Sequence, residues 1–220
     1  MEWMVLQLAD SAFPAGGFAH SAGLEAAAQL GEVDSDDELH RFVASALWQA
    51  GLGGLPLVRE AHAAPAEVGA LDALCHAFLI SHVANRASRT QGRAFIATCA
   101  HSFPQRDGLA RLDAAARLGE IHAHFAPVFG AALRALDVAA EPAAALYLHL
   151  ALRGVLSAAV RLGRIGPHQA QALQHECAPL QDEVLAHCAA LSRADLAQTA
   201  PLQDLIGALQ DRLYSRMFQS

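Results

Sequence analysis

The sequence contains no lysine: all 15 of its basic residues are arginines, and 22 acidic residues leave a net charge of −7. Non-specific binding to nucleic acid or to an anionic membrane needs a basic surface, so we expect neither partner. β-Branched residues are scarce, aromatic residues make up only 6% of the chain, and no segment shows the alternating pattern of a strand. These absences argue against a β-sheet protein as well as against a nucleic-acid-binding one.

Other missing motifs exclude further classes of protein. No Gly-x4-Gly-Lys-Ser/Thr loop is present, so the chain should not hydrolyse nucleotides by that route. The N-terminus has no basic region before an apolar run, and the most apolar stretch, residues 143–152, is too short to cross a bilayer. We therefore expect a cytoplasmic protein. No Cys-x-x-Cys spacing occurs, and we expect reduced, mostly buried thiols at Cys75, Cys99, Cys177 and Cys188.

The abundance of alanine favours helices, because alanine is the best helix former. Ser35 and Glu38 form a capping-box pattern that predicts the start of a helix running to about Gly51. The glycines and proline at 51–56 predict a turn after it. We predict an all-α, single-domain bundle of roughly eight to ten helices over residues 1–220. The other predicted helices cover 67–89 and 91–101 (or one helix kinked at Gly92), 107–119, 121–136, 142–162 and 199–218, with two more beginning at Pro167 and Pro179.

The predicted helix over 142–162 is apolar nearly all round but carries a polar seam. His149, Arg153, Ser157 and Arg161 follow one another at intervals of four residues and so line one edge of the helix. Two arginines cannot be buried there without partners, since an unpaired buried charge costs several kcal/mol. Either the edge reaches solvent, or it forms an interface or polar conduit in which the guanidinium groups pair with carboxylates.

Residues 10–25 combine turn residues, aromatics, a His-Ser pair and a glutamate. Residues 19–23 resemble a degenerate nucleophile elbow, and a small serine hydrolase using His20 and Ser21 is the alternative function; that motif requires a preceding strand, which the sequence does not show. Ser21 is more simply interpreted as a helix N-cap. Glu25 lies one position too late for a capping box, so its role must be sought elsewhere.

Twelve histidines raise the question of a metal site. The densest groups are His122-x-His124, His175-x-Cys177 and the pair at 187–188. Residues one or two apart on a helix do not share a face, and none of these groups has the spacing of a closed zinc site. We expect no firm metal site, with His20 as a weak candidate for a transient ligand.

The closing segment, residues 211–220, is rich in aromatic residues and arginine, the residue types that dominate interface hot spots. On a helix, Leu213 would pair with Met217 and Tyr214 with Phe218. The segment is therefore interpreted either as a docking element or as a helix packed on its own domain.

Four segments together resemble the urease accessory proteins called UreF. Residues 6–25 are similar to the N-terminal signature of that family, 213–220 to its tail, 156–163 to an internal helix, and 85–95 also fit. The resemblance implies an all-α protein without catalysis of its own. It further implies assembly, often as a homodimer, with the accessory protein UreD (UreH) and the GTPase UreG on apo-urease, to deliver nickel to the dinickel centre. No tightly bound cofactor is implied, and nickel would be present only in transit.

The resemblance also indicates which residues contact partners. Arg161 is hypothesised to face the GTPase or the second copy of a dimer, and Arg161 or Arg216 could act in trans on the bound nucleotide. The residues expected to bind partners are Phe18, His20, Glu25, Arg153, Arg161, Tyr214, Ser215, Arg216 and Phe218.

Overall fold

The computed structural model describes residues 3–220, which form eleven α-helices and four short 3-10 turns with no strand among them. The fold is all-α, as predicted, with one helix more than the upper limit of the expected number. The helices are α1 (Trp3–Ala9), α2 (Leu24–Gln29), α3 (Asp36–Ala63), α4 (Val68–Phe78), α5 (His82–Ser102), α6 (Asp107–Leu118), α7 (Phe125–Ala135), α8 (Ala140–Arg161), α9 (Pro167–Glu176), α10 (Ala178–His187) and α11 (Pro201–Ala208).

The helices α3, α7 and α8 form the centre of the structure. The helix α3 packs along both α7 and α8, and α5 packs on the other side of α7. Phe95 of α5 and Phe129 of α7 are fully buried, with ring centroids 5.2 Å apart. All four cysteines are free and buried, as expected.

The helix α8 is long and apolar enough, by length and composition alone, to cross a membrane. It packs instead against α1, α3, α7 and α9, and most of its large apolar side chains lie in the core. Its composition is that of a central core helix, so it does not indicate a membrane protein.

Several predicted helix ends are confirmed. Ser35 accepts a hydrogen bond from the Glu38 N–H, and the Glu38 carboxylate accepts one from the Ser35 N–H, so the capping box is complete. Pro167 occupies the first turn of α9, and α10 begins one residue before Pro179. The helices predicted over 107–119 and 142–162 are found within two residues of their expected bounds.

The turn predicted at 51–56 is wrong, because α3 continues through it to Ala63. The glycines there serve close helix packing: a Cβ on Gly54 would overlap the Tyr147 hydroxyl, and one on Gly51 would overlap Val184. Pro56 lacks the N–H that would bond the Leu52 carbonyl within the helix. That carbonyl accepts a hydrogen bond from the Ala197 N–H at 3.3 Å instead, so the proline is tolerated.

The predicted break near residue 90 is also misplaced. The chain breaks between Phe78 and His82, where the Ser81 hydroxyl accepts a hydrogen bond from the Ala84 N–H and caps α5. Gly92 lies inside the unbroken helix α5, where a Cβ would overlap the carbonyl oxygen of Ala123. Gly92 therefore allows the 119–124 loop to approach α5 closely, and it does not kink the helix.

The last helix is shorter than predicted. After α11, a 3-10 turn covers Leu209–Arg212, and residues 213–220 are not helical. The expected pairs Leu213–Met217 and Tyr214–Phe218 therefore do not form a helical face. The side chain of Phe218 is buried whereas that of Tyr214 is fully exposed.

Candidate partner-binding site

Glu25 anchors the C-terminal segment to the N-terminal one. Its side chain is only 2% exposed, and one carboxylate oxygen accepts the Met217 N–H at 2.6 Å. The other oxygen accepts the Phe218 N–H at 3.0 Å and the Gln210 side-chain amide at 2.6 Å. Hydrogen bonds to an ionised acceptor are stronger than neutral ones. This is the role that the sequence left open for Glu25, and these bonds hold residues 217–218 in a non-helical path against α2.

The backbones of the two segments are also joined directly. The Gln219 N–H donates to the Ala19 carbonyl at 2.9 Å, and the Ser21 N–H donates to the Ser220 carbonyl at 2.5 Å. The His20 ring contacts the Ser220 hydroxyl through Nδ1, also at 2.5 Å. Burial, and secondarily the charge of Arg86, lower the pKa of His20. The segment 19–21 and the segment 219–220 thus lie side by side.

The serine hydrolase alternative is not supported by this geometry. The Ser21 hydroxyl is fully buried, donates to the Ser220 carbonyl at 3.0 Å and accepts the Glu25 N–H at 3.3 Å. The His20 ring is bonded to Ser220 and not to Ser21, and no strand precedes the pair in the described residues. Ser21 is not the N-cap of α2 either: Gly23 holds that position with φ of 85°, in the left-handed region that favours glycine.

Arg161 of α8 links the same two segments. Its guanidinium carbon lies 3.8 Å from the centroid of the Phe18 ring and 4.1 Å from that of Phe218, so the charge is stacked between two aromatic faces. It also donates a hydrogen bond to the Phe18 carbonyl. Arginine stacks well on aromatic rings because its planar charge is weakly hydrated. Three of the four segments that resemble the family therefore meet at one place.

The polar seam of α8 is partly open to solvent, and its two arginines bond to backbone carbonyls of the N-terminal segment. All four of its residues are partly buried, and the N-terminal segment lies over part of the seam. Arg153 donates to the Ala9 carbonyl, as Arg161 does to that of Phe18. Burial lowers the pKa of Arg153, and the charge of Asp10 partly opposes this.

A cluster of ion pairs holds the start of the C-terminal segment. Asp211 forms two hydrogen bonds with the Arg86 guanidinium, at 2.9 and 2.8 Å, and pairs with His82 and Arg216 at 3.2 and 3.0 Å. The bonded Arg86 lowers the pKa of the Asp211 carboxyl. Sequence reasoning missed Arg86 and Gln210; for Arg86, the only signal was its place in the 85–95 segment. Ser215 contributes its carbonyl, which accepts from the Gln29 side chain at 2.9 Å.

Large side chains in these joined segments remain uncovered. Phe18 is 71% exposed and Met217 is 54% exposed, while Tyr214 is completely exposed. The Phe18 carbonyl and the Met217 N–H are held by the contacts above, and Ser215, next to Tyr214, is held by the Gln29 side chain. Exposed aromatic residues next to arginine are typical of protein–protein contact sites.

His122 and His124 lie in the loop before α7 and not on a helix. The rule that residues two apart on a helix point to different faces therefore does not apply to them. The rings of His76 and His122 stack at 3.8 Å, and His76 Nδ1 lies 3.1 Å from His124 Nε2. The Asp72 carboxylate accepts the backbone N–H groups of both loop histidines at 2.6 Å. Burial, followed by the neighbouring His76 and His122, lowers the pKa of His124 to about 3. Over residues 3–220, no three His, Cys, Asp or Glu side chains are arranged to hold a metal ion.

Comparison with known proteins agrees with the resemblance. The family model described as UreF matches residues 33–178. The chain is 35% identical to urease accessory protein F of Arabidopsis thaliana over 100% of its own length and 93% of that protein. It is 35% identical to urease accessory protein F of Oryza sativa subsp. indica, over 98% and 84% of the two chains, and 31% identical to urease accessory protein UreF of Mycobacterium sp. (strain JLS), over 98% and 97%. The chain therefore belongs to the UreF family of urease accessory proteins, which act in urease maturation.

Proposed function

We propose that this protein is a scaffold for incorporation of the dinickel centre of urease, acting in the cytoplasm by contact and without catalysis. It bridges a UreG-type GTPase and a UreD/UreH-type accessory protein on apo-urease, as a single domain and as a homodimer within the complex. Nickel is the cargo of that complex, and His20 is the residue of this chain that we assign as a transient ligand.

The observation that carries the proposal is the junction of the N-terminal segment, α8 and the C-terminal segment. Glu25 and Arg161 use their polar groups to hold backbone within the chain, which leaves exposed side chains, Phe18 and Tyr214 among them, available for a partner. Burying large aromatic side chains in an interface contributes substantially to affinity. We therefore place the partner-binding residues at this junction.

We also propose that the protein influences the GTPase. Arg161 is stacked between two rings and bonded to a carbonyl, so releasing it to reach a nucleotide would break internal contacts. Arg216 is more exposed, and among residues 3–220 its ion pair is with Asp211. Arg216 is therefore the better candidate for stabilising charge on the nucleotide of the GTPase. Single-turnover GTP hydrolysis with the native chain and with Arg216→Ala tests this: equal rates would leave only the scaffold role.

The scaffold role is tested with Arg161→Ala. Loss of the guanidinium removes both ring contacts and the bond to the Phe18 carbonyl, so we expect weaker binding of at least one partner and slower urease activation. Arg111→Ala is the matched control, since Arg111 is an exposed arginine on α6, away from the junction. Binding is measured by calorimetry against the purified UreD/UreH-type and UreG-type proteins. Unchanged affinity for both, with normal activation, would refute the assignment.

A further inference from the structure

A cavity of about 330 Å³ lies between α3, α5, α8 and α11 and is partly open to solvent. Its size falls within the range of small-molecule sites. The walls along the helices are built from small residues, including Ala50 and Gly53 of α3, Ala87 of α5, and Ala151 and Gly154 of α8. The space is much larger than a single water molecule needs.

The cavity has aromatic groups on its walls. Phe78 of α4, Phe125 of α7 and Tyr147 of α8 all line it, and the last two rings stack with centroids 5.7 Å apart. Aromatic faces of this kind favour an apolar ligand body and also attract a cation above the ring.

The cavity also has polar groups whose hydrogen-bonding capacity is not used. Among residues 3–220, the atoms His20 Nε2 and Gln203 Oε1 are buried and have no hydrogen-bond partner, and their residues form part of the cavity wall. Buried polar atoms without a partner are costly, so they indicate a place where water or a ligand binds. Both come from elements at the junction described above, the N-terminal segment and α11.

The strongest polar feature is the carboxylate of Asp204 on α11. It is partly buried and lines the cavity, and its hydrogen-bond partner is the side-chain amide of Gln49 at 3.3 Å. No arginine or histidine forms an ion pair with it among the described residues. A partly buried carboxylate without a cationic partner favours binding of a positive charge.

We propose that this cavity is a binding site for a small organic amine with an apolar body. The ammonium group pairs with the Asp204 carboxylate, and the apolar body lies against Phe78, Phe125 and Tyr147. The carboxylate selects for the charge, and the small residues of α3, α5 and α8 leave room for the body. His20 lines the same cavity, but the ammonium contact with Asp204 uses none of the residues assigned to partner contacts, so the amine site and the partner site are tested separately.

The test compares a charged probe with an uncharged one of nearly the same shape. We expect 2-phenylethylamine to bind the full chain in calorimetry or ligand-observed NMR, and 2-phenylethanol to bind at least about tenfold more weakly, as expected for one desolvated charge-assisted hydrogen bond. Asp204→Asn should remove this preference. Equal binding of the two probes to the native chain would overturn the proposal, as would failure of both to bind, which would indicate a water-filled cavity.

A second variant is designed to add bulk at the cavity wall. A Cβ built on Gly154 meets no atom within 4 Å, so Gly154→Leu extends into open space on the cavity wall. We expect it to fold, because leucine is a better helix former than glycine, and to abolish binding of the amine. Ala172→Leu, on the exposed side of α9, is the control for added bulk. Undiminished binding by folded Gly154→Leu would place the amine elsewhere and refute the site.

Discussion

Replacing Glu25 by glutamine should release the C-terminal segment while leaving the helical core folded. The native carboxylate offers two oxygen atoms to three donors: the N–H groups of Met217 and Phe218 and the side chain of Gln210. Glutamine has nearly the same shape but keeps only one oxygen, and its NH2 group cannot accept a hydrogen bond. At least one of the three donors therefore loses its acceptor, and the remaining donors bond to a neutral oxygen in place of a charged one.

The size of the effect follows from these bonds. An unsatisfied buried donor costs about 1–3 kcal/mol, and replacing a charged acceptor by a neutral one adds about 1 kcal/mol. The total is roughly 2–4 kcal/mol, which raises the population of the released segment by a factor of about 30 to 1,000. The core is spared because the contacts that are lost lie between α2 and residues 210–218.

The assay is hydrogen–deuterium exchange of the Met217 and Phe218 amides. We expect Glu25→Gln to exchange faster there by the same factor, with core helices such as α7 unchanged. Glu32→Gln is the control, since Glu32 is an exposed glutamate whose carboxylate makes no hydrogen bond within the described residues. If the two amides kept native protection in Glu25→Gln, the anchoring role of this carboxylate would be refuted.

Two further predictions concern stability. Folding lowers the pKa of His124 from 6.5 to about 3, so between these pH values the unfolded chain binds a proton that the folded chain does not. The contribution of His124 to the free energy of unfolding is therefore full above pH 6.5 and is lost as the pH falls. At pH 5.5 the loss is about 1.4 kcal/mol. The free energy of unfolding in urea should show this difference between pH 5.5 and 7.5 in the native chain and less of it in His124→Gln. An equal change with pH in the two proteins would contradict the prediction. Gly92→Ala should lower the free energy of unfolding by about 2 kcal/mol or more, since its Cβ meets the Ala123 backbone, whereas Gly154→Ala should raise it by about 0.5–1 kcal/mol. A denaturation midpoint of Gly92→Ala at or above that of the native chain would contradict the close packing at Gly92, and a lowered midpoint of Gly154→Ala would contradict the open space at Gly154.

Features set by neighbouring residues could be predicted from the sequence. The capping box at Ser35 and Glu38 depends on atoms three residues apart, and the start of α9 depends on Pro167 alone. The apolar residues of α8 likewise identify a buried helix without reference to the rest of the chain. The family segments were found for the same reason, because each is a short run of residues in a fixed order.

Features set by distant residues could not be predicted. In the sequence, Gly54 and Gly92 cannot be told apart from glycines that form turns. Each is required instead by the close approach of a distant residue, Tyr147 at Gly54 and Ala123 at Gly92. The non-helical path of the C-terminal segment likewise depends on Glu25, 192 residues before Met217. The contacts of Arg161 within the chain could not be predicted for the same reason, since Phe18 and Phe218 are distant from it in the sequence.

The most direct test of the proposed function is hydrogen–deuterium exchange of the full chain, alone and in complex with a UreD/UreH-type protein and then with a UreG-type GTPase. If partners bind at the junction of the N-terminal segment, α8 and the C-terminal segment, amides around Phe18 and around Tyr214 should become more protected in at least one complex. Stable complexes that left both regions unchanged and protected another surface would contradict the account.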